Sequence, residues 1–315
     1  MSATASFPAR SFHQLQWDEQ LADHVARAAA GWLAEDLGHE CDWTSVSLIA
    51  AGAHSDLAVV ARNAGVVAGL DAAAIVARVA DPGLEWRALT ADGATIVPGD
   101  VVARLSGATR SILAAERVVL NVLGRMSGVA TATRRLVDAV AGTRCRIYDT
   151  RKTVPGWRLL DKFAVRQGGG CNHRLGLYDA ILIKDNHLAA LASEGLGPAE
   201  AVRRARAFVN ATFPPTRAAG TVVEIELDSL DAYEEVLAAG PDVILLDNMD
   251  LGTLARAVAV RDRVRAAVAL EASGGVRPET VAAIAGTGVD RVSAGWPTHH
   301  APWLDLGLDW AGKSA

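Results

Sequence analysis

Apolar and polar positions recur along this chain with two different periods, and the changes of period mark out its architecture. Over residues 17–35 the apolar Leu21, Val25, Ala28, Trp32 and Leu33 return at helical spacing, and Gly38 supplies a stop. Residues 46–107 carry instead short apolar runs cut by glycine, at 57–61, 65–69, 84–89, 95–98 and 101–107. Turn signals stand between them at Asp92-Gly93 and Pro98-Gly99-Asp100. This stretch predicts an antiparallel sheet in an α+β sandwich domain. A long helical pattern follows over 111–141, with Gly124 and Gly128 expected to break or bend it.

From Cys145 onward, short continuous apolar runs alternate with helical segments. The runs cover 145–148, 180–183, 222–227, 243–246, 268–271 and 291–294, and helices are predicted at 198–208, 229–239, 251–265 and 278–286, with 214–220 a loop. Runs of this kind are strands covered on both faces of a parallel sheet. Six of them predict an α/β fold that is an incomplete barrel of TIM type, its seventh strand hidden or replaced. Residues 1–16 read as a poorly ordered lead-in. The expected organisation is a sandwich domain over 1–125, a barrel over 126–296, and a tail over 297–315 that returns to the N-terminal domain.

Composition narrows the function. Half of the 315 residues are hydrophobic and 29 are glycine, as suits a tightly packed α/β protein. The net charge of -5 argues against a general nucleic-acid binder, which needs a basic face. Cys41, Cys145 and Cys171 have no metal-ligand spacing and cannot all pair, so a reducing cytoplasm is expected. The N-terminus lacks the apolar stretch of a signal peptide, and no run is long enough to span a membrane.

The chemistry collects at the ends of the predicted strands, which in a barrel open into one mouth. The first ends in Asp149-Thr150-Arg151-Lys152, the second in Lys184, the third in Glu226 and the fourth in Asp247. The fifth runs from Glu271 into Ser273-Gly274-Gly275, and the sixth into Ala294-Gly295-Trp296. Cations sit on the early strands, and carboxylates and glycine turns on the late ones. That polarity suits a substrate anionic at one end and metal-chelated at the other. Arg151 and Arg174 can each grip a carboxylate with two parallel N–H bonds, whereas Lys152 and Lys184 offer point charges suited to phosphate. Glu226 and Asp247 are the candidates for holding Mg²⁺, which takes a few carboxylates plus phosphate oxygens and water. Glu224 and Glu226 share one face of their strand by alternation, so both cannot point outward. Ser273, Gly274, Gly275, Ala294 and Gly295 supply backbone N–H groups for phosphate. His173 follows the Gly168-Gly169-Gly170 loop. His54, His299 and His300 read as surface or packing residues.

Several strings here resemble the quinolinate phosphoribosyltransferase family. They are Asp149-Thr150-Arg151-Lys152-Thr153-Val154-Pro155-Gly156, the segment from Gly168 through Asn172-His173-Arg174 to Asp179-Ala180, and Ile183-Lys184-Asp185-Asn186-His187. Glu35-Asp36-Leu37-Gly38, Glu116-Arg117 with Leu120-Asn121, and Ser127-Gly128 are similar as well, although Glu40-Cys41 stands where a glycine is usual. The resemblance implies transfer of phosphoribosyl from phosphoribosyl pyrophosphate to quinolinate with Mg²⁺, in NAD biosynthesis. It implies Lys152, Lys184, Glu226 and Asp247 as catalytic groups. It further implies substrate contacts from Thr150, Arg151, His173, Arg174, the two glycine loops and Trp296. It also implies a homodimer or higher oligomer in which Arg117 reaches the neighbouring subunit's barrel. Trp296-Pro297 departs from the family pattern, and Trp296 is expected to pack with Trp303 on the N-terminal domain. Three alternatives stay open: a paralogue using another aromatic or pyridine acid, a Schiff-base lyase using Lys152 or Lys184, and a phosphoribosyl-ligand sensor without turnover.

Overall fold

The computed structural model describes residues 10–264 and 266–310. They form two compact units. Residues 15–134, 155–169 and 300–310 belong to one, and residues 10–14, 135–154 and 170–299 to the other. Where the sequence suggests boundaries at 125/126 and 296/297, with the tail returning to the N-terminal domain, the chain passes between the units at further points as well.

The first unit begins with α1 (Glu19–Leu37), capped by Asp18, whose carboxylate accepts from Leu21 N at 2.8 Å, and closed at Gly38 with φ 60. Its buried stripe is Leu21, Val25, Ala29 and Leu33, one residue per turn. There follow α2 (Trp43–Leu48), β1 (His54–Ala61), β2 (Gly65–Val66), α3 (Leu70–Ala80), β3 (Glu85–Ala88), β4 (Thr95–Ile96) and β5 (Val101–Ala108). β1, β3 and β5 pair antiparallel, as the short apolar runs predict. The fourth strand of that sheet is β12 (Leu306–Trp310), within the tail, paired antiparallel with β1 from Leu57↔Trp310 to Ala61↔Leu306.

Next comes α4 (Thr109–Ala139), and it runs unbroken through Gly124 and Gly128. The expected break is absent, and the glycines serve close approach instead. A Cβ on Gly128 would stand 2.3 Å from the carbonyl oxygen of Pro302, and one on Gly124 2.9 Å from that of Leu304. The tail backbone lies directly on this face of the helix, where Leu304 N also donates to Gly124 O.

The second unit is an open barrel. Its strands are β6 (Arg146–Tyr148), β7 (Ile181–Ile183), β8 (Val223–Leu227), β9 (Val243–Asp247), β10 (Ala269–Ser273) and β11 (Arg291–Ser293). All neighbours are parallel, in the order β6-β11-β10-β9-β8-β7. The connecting helices are α6 (Asp185–Ala192), α7 (Pro198–Thr212), α8 (Pro215–Gly220), α9 (Tyr233–Ala239), α10 (Leu251–Val264) and α11 (Pro278–Gly286), with α12 (Trp296–His299) after the last strand. The segment predicted as a loop at 214–220 is thus the short α8, started by Pro214-Pro215. Helix α5 (Arg158–Gln167), between β6 and β7, belongs to the first unit. Apolar residues such as Val202, Val236, Leu254 and Val281 fill the layer between barrel strands and helices.

The seventh strand position, between edges β6 and β7, is filled piecemeal. Cys171 makes a parallel bridge to Tyr148, with Cys171 N donating to Ile147 O at 2.7 Å and Asp149 N to Cys171 O at 3.0 Å. Gln14 then pairs with Asn172, each side-chain amide group of Gln14 meeting a backbone group of Asn172 at 2.8–2.9 Å. Residues 10–14 are therefore ordered against the barrel, contrary to the expected loose lead-in; residues 1–9 of that lead-in lie outside the described residues. Arg10 binds Asp242 at 3.1 Å and Ala219 O at 2.8 Å. Phe12 enters the lumen and packs with Tyr148, Ala180, Val222, Val243 and Ala269. Burying such a ring stabilises by about 1.5–3 kcal/mol, part of the roughly 5–10 kcal/mol that ordering a five-residue coil segment costs.

The helix-tail contact sets a test. Glycine to alanine inside a helix ordinarily gains about 1 kcal/mol. At Gly128 the added methyl meets backbone that cannot rotate away, so Gly128→Ala is expected to destabilise by about 1–3 kcal/mol. A rise in the urea midpoint would refute the close-approach role.

Candidate active site

The barrel's inward residues follow from strand alternation. In β8, Glu224 and Glu226 share the lumen face, level with Val243 and Leu245 of β9. On the same face lie Asp247, Glu271 and Ser273, and then Arg291 opposite Glu271. The lumen therefore has an apolar floor around Phe12, an ionic layer above it, and a mouth at the strand ends.

At the mouth, two loops are braced by local hydrogen bonds. Asp149, 1% exposed, accepts from Asn172 Nδ2 at 2.7 Å and from His173 N at 2.8 Å, and so fixes the loop that carries Arg174. Asp179 accepts from Leu175 N at 2.8 Å and closes the other side of that loop. Lys152 N donates to Thr150 Oγ1 at 3.0 Å, and Thr298 Oγ1 donates to Lys152 O at 2.7 Å. The Lys152 loop is thus tied to α12. Lys184 precedes α6, and His187 Nδ1 accepts from Lys184 N at 2.9 Å, so the Asp-Asn-His part of this string caps a helix.

Arg151 and Arg174 hold buried Nε donors without a hydrogen-bond partner. Burial first, and then the positive charge of Arg151, pull the Arg174 guanidinium below its ordinary pKa, while Glu224 and Asp179 pull the other way. Two partly dehydrated guanidiniums that repel each other are a site awaiting an anion.

Opposite them, Lys184 Nζ forms an ion pair with Glu226. Asp247 accepts from Ser273 Oγ and, at 2.7 Å, from Asn248 Nδ2. Gly274 has φ 95, and a Cβ there would fall 2.1 Å from Asn248 Oδ1, so the turns after β9 and β10 interlock with no room for a side chain. Ala294 is buried and donates from its N to Tyr148 O at 2.9 Å. A Cβ on Gly295 would stand 2.6 Å from His299 Nε2 and 3.5 Å from Lys152 Cδ, which draws His299 into this corner.

The predicted residues thus divide. Thr150, Arg151, Lys152, His173, Arg174, Lys184, Glu226, Asp247, Ser273, Gly274, Gly275, Ala294 and Gly295 all belong to the barrel unit, at or beneath its strand ends. Arg117 is exposed on α4 in the other unit. The nearby cations Arg158, Lys162 and Arg166 lie on α5 in that unit too, where Arg125 also grips Asp161 with two nitrogens. Trp296 packs against the barrel's own apolar cluster, and Trp303 is 54% exposed.

Sequence reasoning missed the ionic layer. Glu224 and Glu271 are fully buried, with His173 Nε2 at 3.0 Å from Glu224 and 3.6 Å from Glu271. Arg291, 3% exposed, lies over the Tyr148 ring at 4.8 Å. Burial pushes Glu224 up to about 8 and Glu271 up to about 7, each tempered by Arg291. His173, Glu224 and Glu271 have ligand-like spacing. The attraction of Arg174 and Arg291 for Glu224 already supplies the positive charge a cation would bring. Glu226 and Asp247 fit Mg²⁺ better: both offer carboxylate oxygens on the lumen face, half-buried, where a polyphosphate and water could complete the shell.

The profile of the quinolinate phosphoribosyl transferase N-terminal domain matches residues 42–127, and that of the C-terminal domain matches residues 129–309. The chain belongs to the quinolinate phosphoribosyltransferase family. The nicotinate-nucleotide pyrophosphorylase [carboxylating] of Mycobacterium leprae is 43% identical over 289 residues, 91% of this chain and 96% of that protein. The chloroplastic enzyme of that name from Arabidopsis thaliana is 37% identical over 291 residues, 88% of this chain and 80% of that one. Among solved structures, the nicotinate-nucleotide pyrophosphorylase from Francisella tularensis superposes with a TM-score of 0.83 at 35% identity, covering 95% of this chain and 99% of the other. The family's two-part fold of sandwich and incomplete barrel is the one described above.

The raised Glu271 carboxyl predicts a pH dependence. Folding takes up a proton there, so that contribution to stability is complete below the ordinary value of 4.5 and is lost as pH rises through about 7. Between pH 5 and 8 the urea midpoint of the natural chain is expected to fall more steeply than that of Glu271→Gln. Parallel slopes would show that Glu271 does not hold the proton.

Proposed function

We propose that this chain transfers phosphoribosyl from phosphoribosyl pyrophosphate to quinolinate, releasing pyrophosphate and CO₂ and forming nicotinate mononucleotide, a step of NAD biosynthesis. The observation that carries the reading is the pair of buried arginines, Arg151 and Arg174, with unpartnered Nε donors at the mouth of a barrel whose other wall bears Glu226 and Asp247. Quinolinate brings two adjacent carboxylates to the arginines. The donor brings a diphosphate to the lysines, the acids and the glycine turns.

The residues explain the order of events. Arg151 and Arg174 orient the pyridine so that its nitrogen faces the sugar's anomeric carbon. Lys152 and Lys184 neutralise the departing pyrophosphate, while backbone N–H groups of Ser273, Gly274, Gly275 and Gly295 hold the 5′-phosphate. Glu226 and Asp247 would hold Mg²⁺, which when bound shields the diphosphate charge and eases its departure. With a donor bound, Lys184 would exchange its carboxylate partner for a phosphate oxygen and release Glu226 to the metal. Bond formation leaves the ring nitrogen positive. That charge stabilises the electron pair left on the ring carbon when the neighbouring carboxylate departs as CO₂, and a proton then bonds to that pair. No activated serine or cysteine is required.

The enzyme acts as a homodimer or higher oligomer in this reading, with Arg117 of one subunit serving its neighbour's barrel. The exposure of Arg117, between the buried Ala115 and Val118 on α4, supports that role. Free thiols at Cys41, Cys145 and Cys171 support a cytoplasmic setting. Among the described residues no helix is long and apolar enough to cross a membrane.

Release of pyrophosphate and CO₂ that depends on quinolinate, measured against a panel of other pyridine carboxylates, tests the assignment. Equal use of another acid would replace quinolinate as the substrate. Arg151→Ala and Arg174→Ala should each lower kcat/KM for quinolinate by about 10- to 100-fold, the loss of one charged double hydrogen bond. Near-normal kinetics in both would eliminate the clamp. Mixing inactive Arg117→Ala with inactive Lys184→Ala subunits should restore part of the activity, since mixed dimers regain one intact site. No recovery after verified subunit exchange would mean that each chain holds a complete site.

A further inference from the structure

The gap between β6 and β7 leaves one buried residue whose backbone needs partners that no strand supplies. Cys171 pairs with the β6 side through its bridge to Tyr148. The next residue, Asn172, is fully buried, and its N–H and C=O must still be satisfied. Gln14 satisfies both. Asn172 N donates to Gln14 Oε1 at 2.8 Å, and Gln14 Nε2 donates to Asn172 O at 2.9 Å. A backbone N–H only donates and a carbonyl only accepts, so the two bonds fix which way the amide faces. Nε2 also donates to Phe12 O at 2.9 Å, which braces the amide on its own segment. One side-chain amide thus presents the donor and the acceptor that a neighbouring strand residue would present.

The residues after Asn172 give these bonds their consequence. The Asn172 side chain donates from Nδ2 to Asp149 at 2.7 Å, so residue 172 is held by Gln14 on its backbone and by the end of β6 on its side chain. His173 and Arg174 follow directly, both buried at the mouth. We propose that Gln14 is a positioning residue for the acceptor: it holds the backbone from which His173 and Arg174 reach the acceptor's carboxylates. The proposal rests on the reading of Arg174 as a carboxylate clamp. Gln14 is itself anchored, because Phe12 fills the lumen floor and Arg10 binds Asp242 and Ala219 O. The donor half of the site is built otherwise: Lys184 pairs with Glu226, and Asp247 with Ser273 and Asn248. Acceptor binding therefore depends on a residue 158 positions away in the sequence, and donor binding does not.

The test separates acceptor from donor. Gln14→Ala should raise KM for quinolinate about tenfold or more while KM for phosphoribosyl pyrophosphate stays within about twofold. A role confined to stability would lower the urea midpoint without splitting the two constants. Gln14→Glu gives a second readout. Its ionised carboxylate keeps an acceptor for Asn172 N but has no hydrogen for Asn172 O, and protonation restores that hydrogen. Relative to the natural chain at the same pH, its quinolinate KM should therefore fall as pH is lowered from about 8 to about 6, since burial raises a carboxyl into this range. Should Gln14→Ala not fold, Gln14→Met, which keeps the length of the side chain, decides by the same acceptor-to-donor criterion. Equal changes in both Michaelis constants, or none, in a folded variant would overturn the proposal, as would a Gln14→Glu ratio that does not move with pH. If Arg174→Ala itself leaves the quinolinate KM unchanged, it is the clamp reading that fails.

Discussion

Positive charge held out of water is the constraint on which this structure depends. Arginines at a barrel mouth bind an anion tightly only if they are partly dehydrated beforehand, and dehydrated cations repel one another. Here the repulsion between Arg151 and Arg174 is tempered from below by Glu224, and the buried carboxylates are balanced in turn by Arg291. The lumen is therefore a stack of cationic and acidic layers on an apolar floor. Each layer makes the next one tolerable, and the floor exists because Phe12 is brought in from the start of the chain to fill it.

The opposite wall follows the same logic with weaker burial. Lys184 and Glu226 neutralise each other, and Asp247 is held by Ser273 and Asn248. These partners are all exchangeable for a diphosphate and a cation. The arginine wall is fixed and the acid wall is adaptable, which matches a flat dicarboxylate on one side and a flexible donor on the other.

Much of this was legible in the sequence, for a physical reason. Barrel strands are covered on both faces, so they appear as unbroken apolar runs, and all six were placed to within a residue or two. Mouth residues follow strand ends, so Arg151, Lys184, Glu226 and Asp247 could be found by position alone. The ionic layer was less legible because its members come from β8, β10, β11 and a loop, and only the closed lumen brings them together. The Val-Glu-Ile-Glu-Leu run did carry a signal, since two acids on one face of a covered strand must both point inward. Phe12 had none: a five-residue segment without periodicity reads as coil until the gap it fills is known. Gly124 and Gly128 misled for a similar reason, as the tail backbone that needs their bareness lies some 180 residues further on.

That distance along the chain shapes how the protein can be made. The strand β1 leaves the ribosome long before its edge partner β12. Until β12 follows, one side of β1 presents unsatisfied N–H and C=O groups, the kind of edge that recruits stray strands. The polypeptide at residues 10–14 waits in the same way for a barrel whose first strand begins at Arg146. Both closures join segments far apart in the sequence, so a nascent or prematurely ended chain lacks the stitches that hide its sticky surfaces. Quality control in the cell would meet this protein chiefly as an unfinished one.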